Sequence, residues 1–553
     1  MEQLISQLRG ALSGTISTSQ TARTAVRRDG SLFESIPDAV MTPATAADVS
    51  SLVKFVVKHK TSFPKLAITA RGAGTDMSGA AIGSSIILDT STLSTIQAFN
   101  GRFIQAQPGA RIDDMQRILY AHNLTLASAP SNQHLTTLGG MVANNSASAD
   151  SFRHGTTERW VRALKVVLAD GNEYVVRPLN KKELDKKMAQ PTYEGRLYAH
   201  LYSLLNKNYD LIRNARPHTT KNTSGYNLWN VWDKENGIFD LTQLFTGSQG
   251  TLGIITEATL EAVKRPAFTG TLLVHIPSLR KLDLVLSTIR RHNPLSIEGF
   301  DDLSFMQALQ SHATLRKRLG KREYIKQQAR LTSSALSLRS SGNQLLLAVT
   351  VDGDTQDIVL KKIESLYDEL SRYKVGLDIS IDSQSQTQGR RMRQSTLALI
   401  QDQITTWHAS PFIDDMAVHP TRVAAFLPRL QKILKKYSFP AIIHGHFGDG
   451  NFHIVPLKDV SSAKERAKLE PMMRAISALI IEFDGTLSGE HGDGMIRGPW
   501  LPAQFNQEVY ALFKGVKELF DPLYIFNPHK KTDASWEYSM SQLRPEAKMG
   551  QKR

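Results

Sequence analysis

The sequence predicts an α+β protein of two or three domains, and three observations predict it. Short apolar, β-prone runs alternate with amphipathic stretches of helical period through residues 38–171. Long loops of small residues interrupt that alternation at 70–79, 135–157 and 247–256. The 553-residue chain also exceeds what one hydrophobic core supports.

Taken in order, MEQLISQLRGALSG lacks the apolar core of a signal peptide. Residues 3–28 are acid-poor and rich in Ser, Thr and Arg, as transit peptides are. They read here as a folded N-terminal helix, because the pattern runs straight into the first domain. Residues 38–59 predict a strand, a turn at Pro43 and an amphipathic helix begun near Thr45 or Asp48. LAITA at 66–70 and SSIILD at 84–89 predict two more strands around the first glycine-rich loop, and strands and helices alternate again over 104–171. The charged, helical stretch 178–225 reads as an insertion, and 245–260 returns to strand. After Lys264-Arg265-Pro266 long amphipathic segments take over, broken by strands such as 344–353, so a boundary is expected at 265. The expected units are 1–265, 266–499, a helical segment 500–531 returning to the first domain, and a tail 532–553 ordered by docking alone.

With 67 basic and 52 acidic residues the formal charge is +15, a field that favours anionic ligands and docking partners. The basic residues are dispersed and carry no nucleic-acid-binding motif, so no nucleic-acid partner is expected. The absence of cysteine excludes disulfides, thiolate catalysis, a thioether-linked cofactor and a Cys-ligated iron–sulfur cluster within this chain. No apolar run approaches the roughly 18 residues of a membrane span. The expected location is cytoplasmic, with peripheral contact at the inner membrane face open to the basic surface.

ARGAGTDMSG at 70–79 follows a strand and carries Gly72, Gly74 and Gly79 with hydroxyls at Thr75 and Ser78. Such a loop lets backbone approach a ligand and turns free N–H groups toward an anion. Its spacing is neither a Walker A loop nor a dinucleotide fingerprint, and alone it reads as a plain turn. Three such loops in one domain point instead to backbone lining an extended ligand.

IIHGHFGDGNFHIV at 442–455 reads as a hairpin with a loop at 448–451. That register sets His446 opposite His453, Phe447 opposite Phe452, and His444 on the face of His446. Two imidazoles at a turn are either structural or half of a metal site. Glu490 and His491, held between glycines in TLSGEHGDGMIRG, offer the missing carboxylate and a further imidazole. Two histidines and one carboxylate leave an open position, the pattern of a catalytic divalent cation, zinc or manganese.

These motifs resemble a known family over about 15–531. RGAGTDMSGA, LGGMVANNSASADSFRHGTT and GSQGTLGIIT resemble the flavin-contacting segments of the vanillyl-alcohol-oxidase (PCMH-type) FAD domain. The resemblance implies a two-subdomain FAD-binding domain followed by a ferredoxin-like cap. It implies that the backbone of Arg71, Gly72, Ala73, Gly74 and Thr75 and the side chain of Ser78 hold the pyrophosphate. Pro130, Gly139, Gly140, Asn144, Ser146 and Ala147 are then expected at the ribityl and ring, and Gly250, Gly253 and Ile255 along the stretch between adenine and ring. The first loop lacks the histidine of covalent members, so the FAD is expected to be non-covalent.

HGHFGDGNFH and SGEHGDG resemble the C-terminal domain of FAD-linked D-2-hydroxy acid dehydrogenases, which include D-lactate, D-2-hydroxyglutarate and glycolate enzymes. That resemblance implies His446, His453 and Glu490 as metal ligands, His491 as the base and Asn451 close to substrate. It implies Arg393 as a carboxylate clamp, Lys221 and Tyr226 near the site, and Asn527 as a closing flavin contact, with His529 where a glycine is usual. STSQTARTAVRRDGSLFESIPDAV resembles large bacterial D-2-hydroxyglutarate dehydrogenases, whose Cys-rich iron–sulfur region this chain does not contain. Leu397 stands where those enzymes have a threonine, and 411–420 offers no lysine.

The expected activity is oxidation of a small D-2-hydroxy acid, such as D-lactate or D-2-hydroxyglutarate, to the 2-oxo acid. The metal assists proton abstraction and flavin takes the hydride. A quinone, an electron-transfer protein or a separate iron–sulfur subunit would accept the electrons. Two other readings stay open at this point: an alkyl-transferase of ether-lipid type on the same FAD scaffold, and a non-catalytic flavin subunit of an electron-transfer complex.

Overall fold

The computed structural model describes residues 2–10, 12–301, 345–380, 412–458, 460 and 462–544. Among these, mixed helix and sheet build three apolar cores, two under the first domain and one under the cap.

The first core lies under a four-stranded sheet in which three strands, Ala39–Thr42, Ile86–Asp89 and, at the edge, Ile68–Arg71, run parallel in that spatial order. Their side chains are mostly buried, as in a parallel sheet covered on both faces. The helix Ala46–His59 covers one face through Val49, Leu52, Val53 and Val56. Its start is organised by Asp48, whose carboxylate takes the backbone N–H groups of Thr45, Ala44, Ser13 and Gly14. Leu4, Ile5 and Leu8 of the helix Glu2–Arg9 close the same core. The strand Ile68–Arg71 ends at the first glycine-rich loop, so that loop hangs from the carboxyl edge of a parallel sheet, where α/β sheets bind ligands.

The second core lies under a five-stranded antiparallel sheet built around Ile254–Glu261 and Val161–Val167. The helices Lys181–Met188 and Tyr193–Lys207 from the charged stretch pack on it, as does the later helix Gln507–Phe520 through Val509, Phe513, Val516 and Phe520.

The cap is a seven-stranded antiparallel sheet starting at Phe268–Ile276. Across it, Gly376–Ser380, Phe268–Ile276, Leu345–Gly353, Ser296–Asp301, Ala441–His446, Asn451–Pro456 and Met416–Ala417 lie side by side. Leu282–Arg291, Val423–Lys436 and Leu469–Glu482 supply apolar side chains to the core against one sheet face. The other face turns toward the first domain. Residues 532–544 cross back over the junction: Trp536 meets Trp500, and Leu543 bridges Phe33. No described helix is long and apolar enough to cross a membrane.

Candidate active site

A cavity of about 770 Å³ runs from the glycine-rich loops to the free face of the cap sheet. Gly72, Ala73, Gly74 and Thr75 line one end, with Pro130, Gly139, Gly140, Asn144, Ser146, Ala147, Gly250, Gly253 and Ile255 along its walls. The first loop is rooted by the Arg71 guanidinium, which donates to the carbonyls of Val26, Ala81 and Arg28. Gly74 has φ +69, and a Cβ there would strike that guanidinium. At Gly72 a Cβ would strike the Thr137 hydroxyl, so two bare backbones close the loops on each other.

Gln249, itself at φ +53, ties the loops together. Its amide donates to Ser78 Oγ at 2.9 Å, Asn144 Oδ1 at 3.4 Å and the His491 carbonyl at 3.5 Å, and its Oε1 accepts the Gly494 N–H at 2.8 Å. An elongated cleft walled at one end by bare backbone fits the phosphate chain of a dinucleotide. Its other end, where the imidazoles stand, fits a reacting ring.

At that end the hairpin register differs from the expected one. His444 pairs with His453 and His446 with Asn451, because Phe447–Asp449 form a 3₁₀ turn closed by Gly450 at φ +67. The turn is thus one residue earlier than the GDGN pattern predicts, and the pairing moves by two. Since a two-residue shift preserves the face, His444, His446 and His453 still point the same way.

Three donor atoms converge: Glu490 Oε1 lies 3.3 Å from His446 Nε2 and 3.2 Å from His453 Nε2. With metal–ligand bonds of roughly 2.0–2.1 Å, tetrahedral neighbours stand roughly 3.3 Å apart, so the spacing fits one divalent cation. Glu298 holds His446 Nδ1 at 2.8 Å, leaving Nε2 to face the centre. Asp414 lies 3.3 Å from His453 Nδ1 and 2.6 Å from His491 Nδ1.

Charge supports the same fit. Among the described residues, Glu298, Asp414, Asp415, Asp449 and Glu490 face Lys221 and Arg497 as fixed cations. Burial draws the His446, His453 and His491 pKa values down, but these carboxylates outweigh it and lift each to about 9. Burial and the neighbouring His453 press His444 down to about 3. The cluster therefore takes up positive charge, as protons or as a cation that displaces them from neutral ligands.

Around the cluster, Asp415 clamps the loop that carries Glu490 and His491. It accepts their backbone N–H groups at 2.9 and 2.6 Å, the Ser488 hydroxyl at 2.9 Å and the Asn451 amide at 3.0 Å. Arg497, fully buried, donates to the Asp414 and Gly492 carbonyls. Lys221 pairs with Glu490 Oε2 at 3.0 Å, on the side away from the imidazoles. Burial would lower its pKa, but Glu490 and Asp449 raise it, so it is a fixed cation and not a base.

Several expected roles change. The Ser78 hydroxyl is buried and turned onto Asp76 at 2.8 Å instead of into the cavity, since that carboxylate needs donors. Asn451 and Lys221 sit behind Glu490 instead of lining the cavity. The Tyr226 hydroxyl bonds Thr251 at 2.7 Å and its ring packs in the first domain's second core, away from the imidazoles. Asn527 braces the loops from behind, donating to the carbonyls of Ala80 and Gln249. His529, at φ +64, stacks on Tyr538 with ring centroids 3.9 Å apart. Arg393 lies outside the described residues.

Glu298, Asp414, Asp415 and Gln249 escaped the sequence reading. The one usable signal was the pair Asp414-Asp415 set in the apolar run PFIDDMAV. Adjacent carboxylates in such a run need partners to be buried.

The family model for the FAD binding domain matches residues 37–177, and that for FAD linked oxidases, C-terminal domain, matches 265–531. The chain is 26% identical over 527 residues to D-2-hydroxyglutarate dehydrogenase of Pseudomonas putida, covering 94% of this chain and 50% of that protein. It spans about half the length of the curated relatives it first matches. D-lactate dehydrogenase of Archaeoglobus fulgidus is 24% identical, with 89% of this chain and 90% of that protein covered. Among solved structures, p-cresol methylhydroxylase has a TM-score of 0.67 at 13% identity, covering 97% of each chain. Alkyldihydroxyacetonephosphate synthase has 0.60 at 16%, covering 96% of this chain and 85% of that one. Both structures establish the PCMH-type fold alone. The chain thus matches, one after the other, an FAD binding domain and the C-terminal domain of FAD linked oxidases.

Proposed function

We propose that this chain is an FAD-dependent dehydrogenase that oxidises a D-2-hydroxy acid to the 2-oxo acid, with a divalent cation held by His446, His453 and Glu490. The observation that carries the reading is the convergence of three donor atoms, with Glu490 Oε1 within 3.3 Å of both His446 Nε2 and His453 Nε2, beside the His491 ring in the wall of the cavity.

When bound, FAD would accept the hydride that leaves C2 of the substrate, and a cation held by His446, His453 and Glu490 would supply Lewis acidity. His491 takes the hydroxyl proton at Nε2, since Asp414 occupies Nδ1 at 2.6 Å. Asp414 then steadies the imidazolium that results. A cation at His446, His453 and Glu490 would offset the carboxylates that raise the His491 pKa, leaving its Nε2 able to act as a base near neutrality. Lys221 balances the outer oxygen of Glu490, and Asp415 fixes the loop so that Glu490 and His491 move together.

Electrons pass to an acceptor outside the chain: a quinone, an electron-transfer protein or an iron–sulfur subunit. The +15 formal charge favours an anionic docking face on that acceptor or on a membrane. Turnover with the true acceptor that is indifferent to salt would refute the docking claim.

Anaerobic mixing of the flavin-loaded protein with paired D- and L-2-hydroxy acids tests the reading. Loss of the oxidised flavin band with D-acids alone is expected. A flavin that none of them bleaches would instead favour alkyl transfer or a purely electron-carrying role.

A further inference from the structure

The cavity wall opposite the glycine loops is one face of the cap sheet, and its register orders the side chains on it. In one row Leu273 pairs with Ala348 and Ala348 with Glu298, whose carboxylate holds His446. In the next, Leu346 pairs with Phe300, Phe300 with His444, and His444 with His453. All of these line the cavity. Strands lie roughly 4.8 Å apart, so one strand separates the ligand-bearing part of the wall from Ala348 and Leu346, and two separate it from Leu273.

Among the described residues, the arginines of the lining, and Lys221 behind it, have other partners. Arg71 is turned onto backbone carbonyls, and Arg265 lies over the Tyr120 ring at 4.5 Å. Lys221 is spent on Glu490 behind the wall. Among the described residues, the stretch formed by Leu273, Ala348, Leu346 and Phe300 presents no cation to the cavity.

We propose that this stretch receives the substrate's side chain, and that the preferred substrate is a 2-hydroxy acid with a branched aliphatic or aromatic side chain and no second carboxylate. The inference rests on the dehydrogenase reading above and names its substrate class. With hydroxyl and carboxylate anchored at the imidazoles, the rest of the molecule lies along the wall toward Ala348, whose small side chain leaves a shelf between Glu298 and Leu273. An aliphatic group there leaves water for apolar contact. A carboxylate there loses its hydration without gaining a cationic partner among the described residues.

The test uses the flavin-loaded protein in two arms. Calorimetric titration compares 2-oxo-4-methylpentanoate with 2-oxoglutarate, and steady-state assays compare the matching D-2-hydroxy acids with an artificial dye. At least tenfold tighter binding of the methyl-branched oxo acid is expected, with at least tenfold higher kcat/KM for its hydroxy acid. Leu273→Arg should narrow the binding gap about tenfold by admitting the dicarboxylate. Ala348→Phe should narrow it by filling the shelf, and retained flavin absorbance reports that either variant folds. Equal or tighter binding of 2-oxoglutarate by the unmodified protein, or a gap that neither folded variant moves, overturns the proposal. Should no hydroxy acid reduce the flavin, the dehydrogenase reading fails, and the oxo-acid titration still decides the nature of the wall.

Discussion

The two ends of the cavity are built from different material. The cradle in the first domain is mostly backbone: Gly72, Gly74, Gly139 and Gly250 expose main chain, and the side chains nearby, such as Arg71 and Ser78, turn away to support the loops. The cap end is made of side chains, with His446, His453, Glu490 and His491 drawn from two distant segments and held by Glu298, Asp414 and Asp415. A backbone cradle tolerates side-chain exchange around it but not an added Cβ. A side-chain cluster fails at the loss of single atoms, because each removed partner strands a buried charge.

That contrast can be broken or sharpened in four ways. The largest effect is expected from His491→Ala, which should lower kcat about 10²–10⁴-fold while flavin absorbance stays at one equivalent per chain. Loss of flavin in parallel would show that the two ends are not separable. Glu298→Gln keeps the size but removes the charge behind His446, and should weaken divalent-metal binding about 10–100-fold in equilibrium dialysis, again with flavin retained.

Gly74→Ala is the reciprocal change. A residue forced into left-handed backbone loses roughly 1–2 kcal/mol, so FAD should bind about tenfold more weakly while metal content is unaltered. The smallest effect belongs to Gln249→Ala, which removes hydrogen bonds worth about 0.5–1.5 kcal/mol each. It should loosen FAD and lower kcat together, each several-fold, because Gln249 touches both Ser78 and the loop of His491. A change in one alone would show that the amide serves a single end.

The same contrast explains what the sequence disclosed. Glycine-rich loops are local, so their places along the chain could be read from composition and order. The face of the hairpin was legible, since alternation is local too. Its register was not, because the 3₁₀ turn Phe447–Asp449 starts the loop one residue early. Tyr226 and Asn527 lie in motifs that resemble site motifs, yet their polar atoms are used on Thr251 and on loop carbonyls. Glu298 and Asp414 reach the imidazoles from strands and turns far away in sequence. The Asp414-Asp415 pair in an apolar run hints at such a role, whereas Glu298 carries no local mark of the partner that tertiary packing supplies.

The central claim is that His446, His453 and Glu490 hold a single divalent cation that the chemistry requires. The direct measurement is metal content per chain, by plasma emission, set beside the rate of anaerobic flavin bleaching by a D-2-hydroxy acid. One ion per chain is expected, with bleaching lost on chelation, restored on adding back zinc or manganese, and absent in Glu490→Gln. A metal-free protein that bleaches at the full rate would contradict the account.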